Sequence, residues 1–205
     1  MKVLLFILCA APLGSLMWRF FQSDLGINPV ETLTHETGNW ALRLLLLSLV
    51  ITPLRRSKAF EGVIAFRRMI GLFAFAYALI HFTIWFWLDK ALVASDMAED
   101  IVKRRFLTAG MLSLGVMLPL AATSTKGWMR RLGPKWGKLH KLTYVAAVAA
   151  VIHFWWLVKS DIREPLFYGV ITAILLGWRV WAWWVKRRSS SPSRGGSGSP
   201  QRQGT

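Results

Sequence analysis

Residues 67–81 read RRMIGLFAFAYALIH, and residues 140–153 read HKLTYVAAVAAVIH; in each, an apolar run leads to a histidine. Both runs belong to stretches long enough to cross a bilayer as an α-helix. An ionisable side chain is costly inside hydrocarbon, so His81 and His153 predict an intramembrane functional site. A single membrane histidine could equally hydrogen-bond to a neighbouring helix. Three histidines in apolar stretches, His140 included, favour a shared function.

The composition is typical of an integral membrane protein. Of the 205 residues, 54% are hydrophobic and 12 are tryptophan. The formal net charge of +16 does not indicate nucleic-acid binding, because a basic nucleic-acid domain lacks repeated apolar runs of membrane length. Cys9 is the only cysteine, which excludes an intrachain disulfide and a multi-cysteine metal site. The start of the chain resembles a signal peptide, but Leu8 before Cys9 is too bulky for cleavage, so we expect an uncleaved first helix.

Hydropathy predicts an all-α membrane bundle of six transmembrane helices in one domain, residues 1–188. Helices are expected because only they and closed barrels satisfy their backbone polar groups within lipid. Residues 189–205, rich in Ser, Gly, Pro and Arg, are expected to form a disordered cytoplasmic tail. The predicted spans cover residues 3–21, 38–54, 68–88, 106–124, 140–158 and 165–185.

The positive charges predict the orientation of these spans. Basic residues concentrate after spans 2 and 4, around Arg55 and Arg130, and after span 6, whereas the opposite loops hold most of the acids, Asp96 among them. The positive-inside rule therefore places both termini and both basic loops in the cytoplasm. The basic cluster at residues 103–105 is the exception on the outer side.

His81 and His153 are predicted to lie at the same depth. His81 follows Arg67 by fourteen residues, His153 follows Lys138 by fifteen, and both spans run outward, so both rings lie about 21–23 Å from the inner boundary. Two imidazoles at one level on two helices suit bis-histidine ligation of a haem b. Small residues near both histidines leave room for a porphyrin, although they equally allow close helix packing.

His140 and three arginines are further candidates. His140 lies near the cytoplasmic boundary, about 20 Å from His153 along one helix, and is the candidate ligand of a second haem. Arg67 or Arg68 lies opposite His140 on span 3, where it could pair with a haem propionate or act only as a positive-inside anchor. Arg43, inside span 2, needs a partner such as a propionate, a flavin phosphate or a quinone oxygen.

The remaining residues favour electron transfer by bound cofactors. No glycine-rich phosphate loop, serine nucleophile with a paired base or intramembrane carboxylate dyad occurs, which argues against hydrolysis. His35 is expected in a solvated loop, and Arg179 is expected to snorkel to the inner surface. The alternatives are a small transporter that uses its histidines as a proton relay, or a membrane anchor with only an assembly role. No clear internal repeat or broken helix supports the transporter.

A set of ordered motifs between residues 25 and 160 resembles the MsrQ (YedZ) family, the haem-binding membrane subunits of a bacterial methionine-sulfoxide reductase system. The motifs are THETG at 34–38, LVITPL at 49–54, RRMIGL at 67–72 leading to LIH at 79–81, and ATST at 122–125 leading to LGPKWGKLH at 132–140.

The resemblance implies a ferric-reductase-like transmembrane domain in the bacterial inner membrane that binds haem b and FMN. It implies that electrons pass from the quinone pool or a cytoplasmic flavin reductase to a periplasmic molybdopterin subunit, MsrP, so this chain would be an electron-transfer subunit rather than the catalytic one. His81, His140 and His153 match the family's haem-ligand histidines. Larger members of the superfamily carry two histidines on each of two helices, whereas this chain has one on span 3 and no nucleotide-binding domain. One haem is therefore expected, with a second as the alternative.

Overall fold

A computed structural model describes residues 2–54, 64–89, 103–158 and 160–189. The described residues form helices joined by short connections, in agreement with the predicted all-α class. A π-helical turn, Trp85–Asp89, extends α3, and a 3₁₀ turn, His140–Leu142, precedes α7. The helices are α1 (Lys2–Phe21), α2 (Pro29–Leu54), α3 (Ile64–Ile84), α4 (Arg105–Ala122), α5 (Lys126–Leu132), α6 (Pro134–Leu139), α7 (Thr143–Leu157) and α8 (Arg163–Ser189).

Four of the described helical segments are long and apolar enough to cross a membrane. They are Lys2–Phe21, Phe66–Leu88, Arg105–Ala122 and Arg163–Arg188. The other two predicted spans correspond to α2, whose first half is polar, and to α7, which has 15 residues. The chain is therefore a helical membrane protein, and the number of six spans stays a prediction.

Large apolar side chains cover the outside of the helices, and leucines and alanines together fill the centre. Trp87 is 62% exposed and Trp181 is 52% exposed, whereas Ala74, Ala146 and Leu49 are each 0% exposed. Exposed apolar surface of this extent suits contact with lipid. Alanines at the centre allow the helix backbones to approach closely.

The second helix begins at Pro29 rather than at residue 38, so the loop predicted around His35 is wrong. Proline suits the first turn of a helix, where its missing N–H is not needed. Asn28 Oδ1 accepts a hydrogen bond from the Glu31 N–H at 3.3 Å, which is the bond that an N-cap residue makes. His35 is exposed but lies on α2.

The central helices form two pairs. α2 packs mainly against α3, and α4 packs mainly against α7, while contacts of α3 with α4 and of α2 with α7 join the pairs into a four-helix bundle. α1 lies against α2 and α3, and α8 lies against α7 and α2. This arrangement brings the C-terminal ends of α3 and α7, which carry the two predicted haem ligands, next to each other.

Several sequence predictions concern residues that the structure does not describe. The connections that carry Arg55 and Asp96, and the tail beyond Ser189, lie outside the described residues. α8 ends at Ser189, one residue past the predicted end of the domain at 188. The orientation and the domain bounds stay predictions.

The Tyr77 hydroxyl inserts into the backbone of α1. Its Oη donates to the carbonyl of Cys9 at 2.9 Å and accepts from the N–H of Leu13 at 3.0 Å. In an uninterrupted helix these two backbone groups would bond to each other. The inserted side chain opens the turn next to Pro12, a residue that itself disturbs helix hydrogen bonding. Tyr77 therefore satisfies the opened turn and connects α1 to α3.

We expect Tyr77→Phe to destabilise the protein by about 1–3 kcal/mol, because Leu13 N–H and Cys9 C=O would lose their partner in a buried position. The measurement is the thermal stability of the detergent-solubilised protein followed by size-exclusion chromatography. Tyr144→Phe is the matched control, since the described residues give the Tyr144 hydroxyl no hydrogen bond. Equal stability of both variants and the parent would contradict this role.

Candidate cofactor site

The side chains of His81 and His153 face each other between α3 and α7. Their ring centroids are 6.1 Å apart, and their planes are nearly perpendicular, at 83°. This proximity is consistent with the equal depth predicted from helix rise. Two imidazoles on opposite sides of one iron have centroids about 6 Å apart, because each metal–nitrogen bond is about 2 Å and each nitrogen lies about 1 Å from its ring centre.

Each imidazole is held by a backbone carbonyl of the neighbouring helix. Nδ1 of His81 lies 2.8 Å from the carbonyl oxygen of Thr34 on α2, and Nδ1 of His153 lies 2.6 Å from that of Phe106 on α4. A carbonyl only accepts, so each Nδ1 carries the proton and each Nε2 carries the lone pair. The described residues offer neither Nε2 a hydrogen bond. Metal-ligating histidines characteristically donate their other N–H in this way.

A cavity of about 610 Å³ surrounds the two rings. Cofactor pockets are typically about 300–1,000 Å³ and mostly apolar, with a few polar groups. Here the walls are largely apolar, and the polar residues Asn28, Glu31, His35 and Arg104 lie at or near the N-terminal ends of α2 and α4. A flat apolar ring with iron at its centre and a charged edge would fit this space, and His81 and His153 are the residues that would hold it, through their two free ring nitrogens.

The cavity is built from an internal repeat that the sequence analysis missed. His153 follows His81, and Gly110 follows Gly38, by the same 72 positions. The two histidine-to-carbonyl hydrogen bonds also span the same separation, 47 residues. Of the 27 residues that line the cavity, 22 form pairs with this 72-residue offset, including Ala78 with Ala150, Leu42 with Leu114 and Phe82 with Phe154. The repeated Ile-His-Phe at 80–82 and 152–154 is the sequence signal that could have revealed it.

His140 lies apart from this cavity, in the turn before α7. Its ring stacks on Trp136 with centroids 3.9 Å apart. Its Nδ1 lies 3.2 Å from the Trp136 carbonyl oxygen, and its Nε2 lies 3.4 Å from Ser124 Oγ. Both ring nitrogens of His140 therefore have hydrogen-bond partners, and ligation of a second haem by His140 stays a prediction.

The three predicted arginines have different surroundings. Arg67 is half-buried near Tyr144 and Arg179, and the described residues offer its guanidinium no hydrogen bond. Arg68 is exposed, and its Nη1 lies 3.6 Å from Met129 Sδ. The structure brings none of the three to the cavity that holds His81 and His153.

Arg43 has a neutral partner. Its Nε donates to Tyr168 Oη at 2.9 Å, and its guanidinium lies over the Trp40 ring at 5.1 Å. Contact with a propionate, a flavin phosphate or a quinone stays a prediction for this residue.

Arg179 does not snorkel as predicted. Its Nη2 donates to the Leu49 carbonyl on α2 at 2.7 Å, and its guanidinium lies over the Tyr144 ring. Leu49 is four residues before Pro53, which has no N–H to donate to that carbonyl. The position of Pro53 inside a predicted helix was therefore the available signal that Leu49 needs an external donor.

Comparisons with known proteins identify the family of this chain. Residues 37–151 match the family described as ferric reductase like transmembrane component. The chain is 51% identical over 187 residues to the protein-methionine-sulfoxide reductase heme-binding subunit MsrQ of Xanthomonas campestris pv. campestris strain 8004, covering 88% of this chain and 86% of that protein. The chain belongs to the MsrQ family. No solved structure matches it.

Other MsrQ relatives show similar coverage. The heme-binding subunit MsrQ of Xanthomonas axonopodis pv. citri is 50% identical, with 88% of this chain and 85% of that protein aligned. The Bordetella pertussis MsrQ is 44% identical, with 91% of both chains aligned. The resemblance inferred from the motifs is therefore confirmed.

We expect Ala78→Leu and Ala150→Leu to reduce haem content, because the longer side chains would occupy the cavity next to the imidazoles. Ala76→Leu is the control, since Ala76 lies on the same helix as Ala78 but is exposed. The measurement is the haem-to-protein ratio of each purified variant. Equal ratios in all three would show that the ligand lies elsewhere.

Proposed function

We propose that this protein passes electrons through a haem b, held by His81 and His153, to a periplasmic molybdopterin methionine-sulfoxide reductase that repairs oxidised proteins. The observation that carries the proposal is the facing pair of imidazoles, 6.1 Å apart, with both Nε2 atoms free of hydrogen bonds to the described residues. The names of the MsrQ relatives, heme-binding subunits of a protein-methionine-sulfoxide reductase, support it.

The protein's own contribution is to hold and tune the cofactor. When bound, haem supplies reversible one-electron chemistry. The carbonyls of Thr34 and Phe106 orient the imidazoles. By accepting hydrogen bonds from the Nδ1–H groups, they make each Nε2 a stronger electron-pair donor to a metal. The apolar walls of the cavity limit access of water and so influence the redox potential.

The rival function is a small transporter or proton relay, and the internal repeat is the observation in its favour. Many transporters are built from repeats, but their binding sites use helices that break near the midplane. Around this cavity α2, α3, α4 and α7 are each continuous, and α3 passes directly into the π-helical turn Trp85–Asp89. A visible absorption spectrum of the purified protein separates the two functions, because only the electron carrier must show haem bands.

The partners and the second cofactor are also proposed. We infer that MsrP is the electron acceptor and that the quinone pool or a cytoplasmic flavin reductase is the donor, in the inner membrane of a bacterium. FMN is proposed as a second cofactor, and its phosphate is one of the partners proposed for Arg43, beside a haem propionate and a quinone oxygen. The resemblance to the MsrQ family supports these assignments.

We expect His81→Ala and His153→Ala each to lower haem affinity by about tenfold or more, and to abolish the low-spin spectrum, because each removes one axial ligand. Leu79→Ala and Ile152→Ala are matched controls, since both neighbours are exposed on the same helices. The measurement is haem titration followed by absorption. A wild-type spectrum and content in both histidine variants would exclude this ligand pair.

Both termini and the connections that carry Arg55 and Arg130 are proposed to face the cytoplasm. Reporter fusions after Ser189 and next to Asp96 should therefore give opposite compartment signals. The physical reason is the concentration of Lys and Arg on one side. The same signal at both positions would contradict six spans.

His140 is proposed to act on the cytoplasmic half of the electron path. We expect His140→Ala to retain the haem held by His81 and His153, yet to be reduced several-fold more slowly by reduced flavin, with reduction by dithionite less affected. Stopped-flow absorption measures both rates.

Lys141→Ala, an exposed neighbour, is the control for this variant. If His140→Ala shows unchanged reduction by flavin and unchanged haem stoichiometry, His140 has only the structural role seen in its stacking on Trp136.

A further inference from the structure

Two glycines lie directly behind the two imidazoles. A Cβ built on Gly38 would lie 2.9 Å from His81 Nδ1, and a Cβ built on Gly110 would lie 2.8 Å from His153 Nδ1. Among the glycines that the structure describes, these are the two positions at which a Cβ would come so close to another residue. Both are in helices, where glycine is otherwise unfavourable.

The position of each glycine explains why a residue with a Cβ would not fit there. Thr34 is four residues before Gly38, so its carbonyl lies one helical turn away on the same face. A Cα–Cβ bond in a helix tilts toward the N-terminus, and a methyl group on Gly38 would point toward the approach of the His81 ring to that carbonyl. Phe106 and Gly110 stand in the same relation to His153.

We propose that Gly38 and Gly110 are a matched pair of positioning residues, equivalent through the internal repeat, that hold the two imidazoles in register for one shared iron. Each lets a ring lie flat against the neighbouring helix, so that Nδ1 donates to the carbonyl and Nε2 faces the centre of the cavity. This inference rests on the proposed haem ligation by His81 and His153.

Because Gly38 and Gly110 are equivalent, alanine at either position should have a similar effect. Because the two hypothetical Cβ contacts are nearly equal, alanine at either position must displace its imidazole to a similar extent. A displaced ring loses its carbonyl partner, and loss of such an outer hydrogen bond typically weakens metal affinity about 10–100-fold. Gly115 on α4 and Gly71 on α3 have no atom near a hypothetical Cβ, so alanine there should leave the imidazoles in place.

The first experiment compares Gly38→Ala and Gly110→Ala with the control variants Gly115→Ala and Gly71→Ala in the full-length protein. We expect about tenfold or more weaker haem binding, a rise in the midpoint potential and a gain of high-spin character in the first two, by similar amounts, and wild-type behaviour in the controls. When the hydrogen bond from Nδ1 to the carbonyl is lost, Nε2 becomes a weaker electron-pair donor to iron, and the ferric state is stabilised less. Wild-type spectra and affinities in both Gly38→Ala and Gly110→Ala would overturn the proposal.

A double-mutant cycle separates positioning from helix packing. In a His81→Gly background no imidazole lies against α2, so Gly38→Ala should have no further effect on haem content or on the amount of protein in the membrane. If Gly38→Ala lowers membrane accumulation equally in both backgrounds, the glycine serves helix packing and the proposal is wrong.

The same measurements distinguish this proposal from the proposed function on which it rests. A parent protein without low-spin haem, or one whose haem survives in both His81→Ala and His153→Ala, contradicts the proposed function. A parent with haem that depends on both histidines, together with unaffected glycine variants, contradicts only the role of Gly38 and Gly110.

Discussion

The structure of the site depends on two hydrogen bonds from imidazole Nδ1 atoms to helix carbonyls. His81 on α3 donates to Thr34 on α2, and His153 on α7 donates to Phe106 on α4. These hydrogen bonds determine which ring nitrogen is free. A helix carbonyl is already part of a regular ladder, so it is a rigid acceptor at a defined place. The orientation of both rings, the 6.1 Å between them and the cavity around them follow from this constraint.

Side chains also satisfy the helix backbone where it is interrupted. Tyr77 bridges an opened turn of α1, and Arg179 donates to the carbonyl that Pro53 leaves without its usual partner. Unpaired backbone groups are particularly costly where water is absent. The outer helices α1 and α8 are therefore connected to the central four-helix bundle by polar contacts, although apolar packing covers most of the same surfaces.

Helix rise and hydropathy were sufficient to predict the all-α class and a level at which His81 and His153 could meet, because both depend on regular geometry along one chain. The loop predicted at His35 was wrong because polar residues before an apolar run can extend a helix when Asn28 caps it. The contacts of Gly38 and Arg179 join distant segments, so they depend on how the helices pack. The repeat was hidden because few residues other than Ile-His-Phe are identical between its halves.

Low-temperature electron paramagnetic resonance of the ferric protein tests most directly whether one iron lies between these two rings. If both imidazoles hold one iron, planes at 83° would interact with different iron d orbitals, which would leave those orbitals close in energy. The expected result is a single, strongly anisotropic low-spin signal that disappears in both His81→Ala and His153→Ala. A ferric spectrum typical of parallel axial ligands, or a high-spin signal in the parent protein, would contradict the arrangement described for His81 and His153.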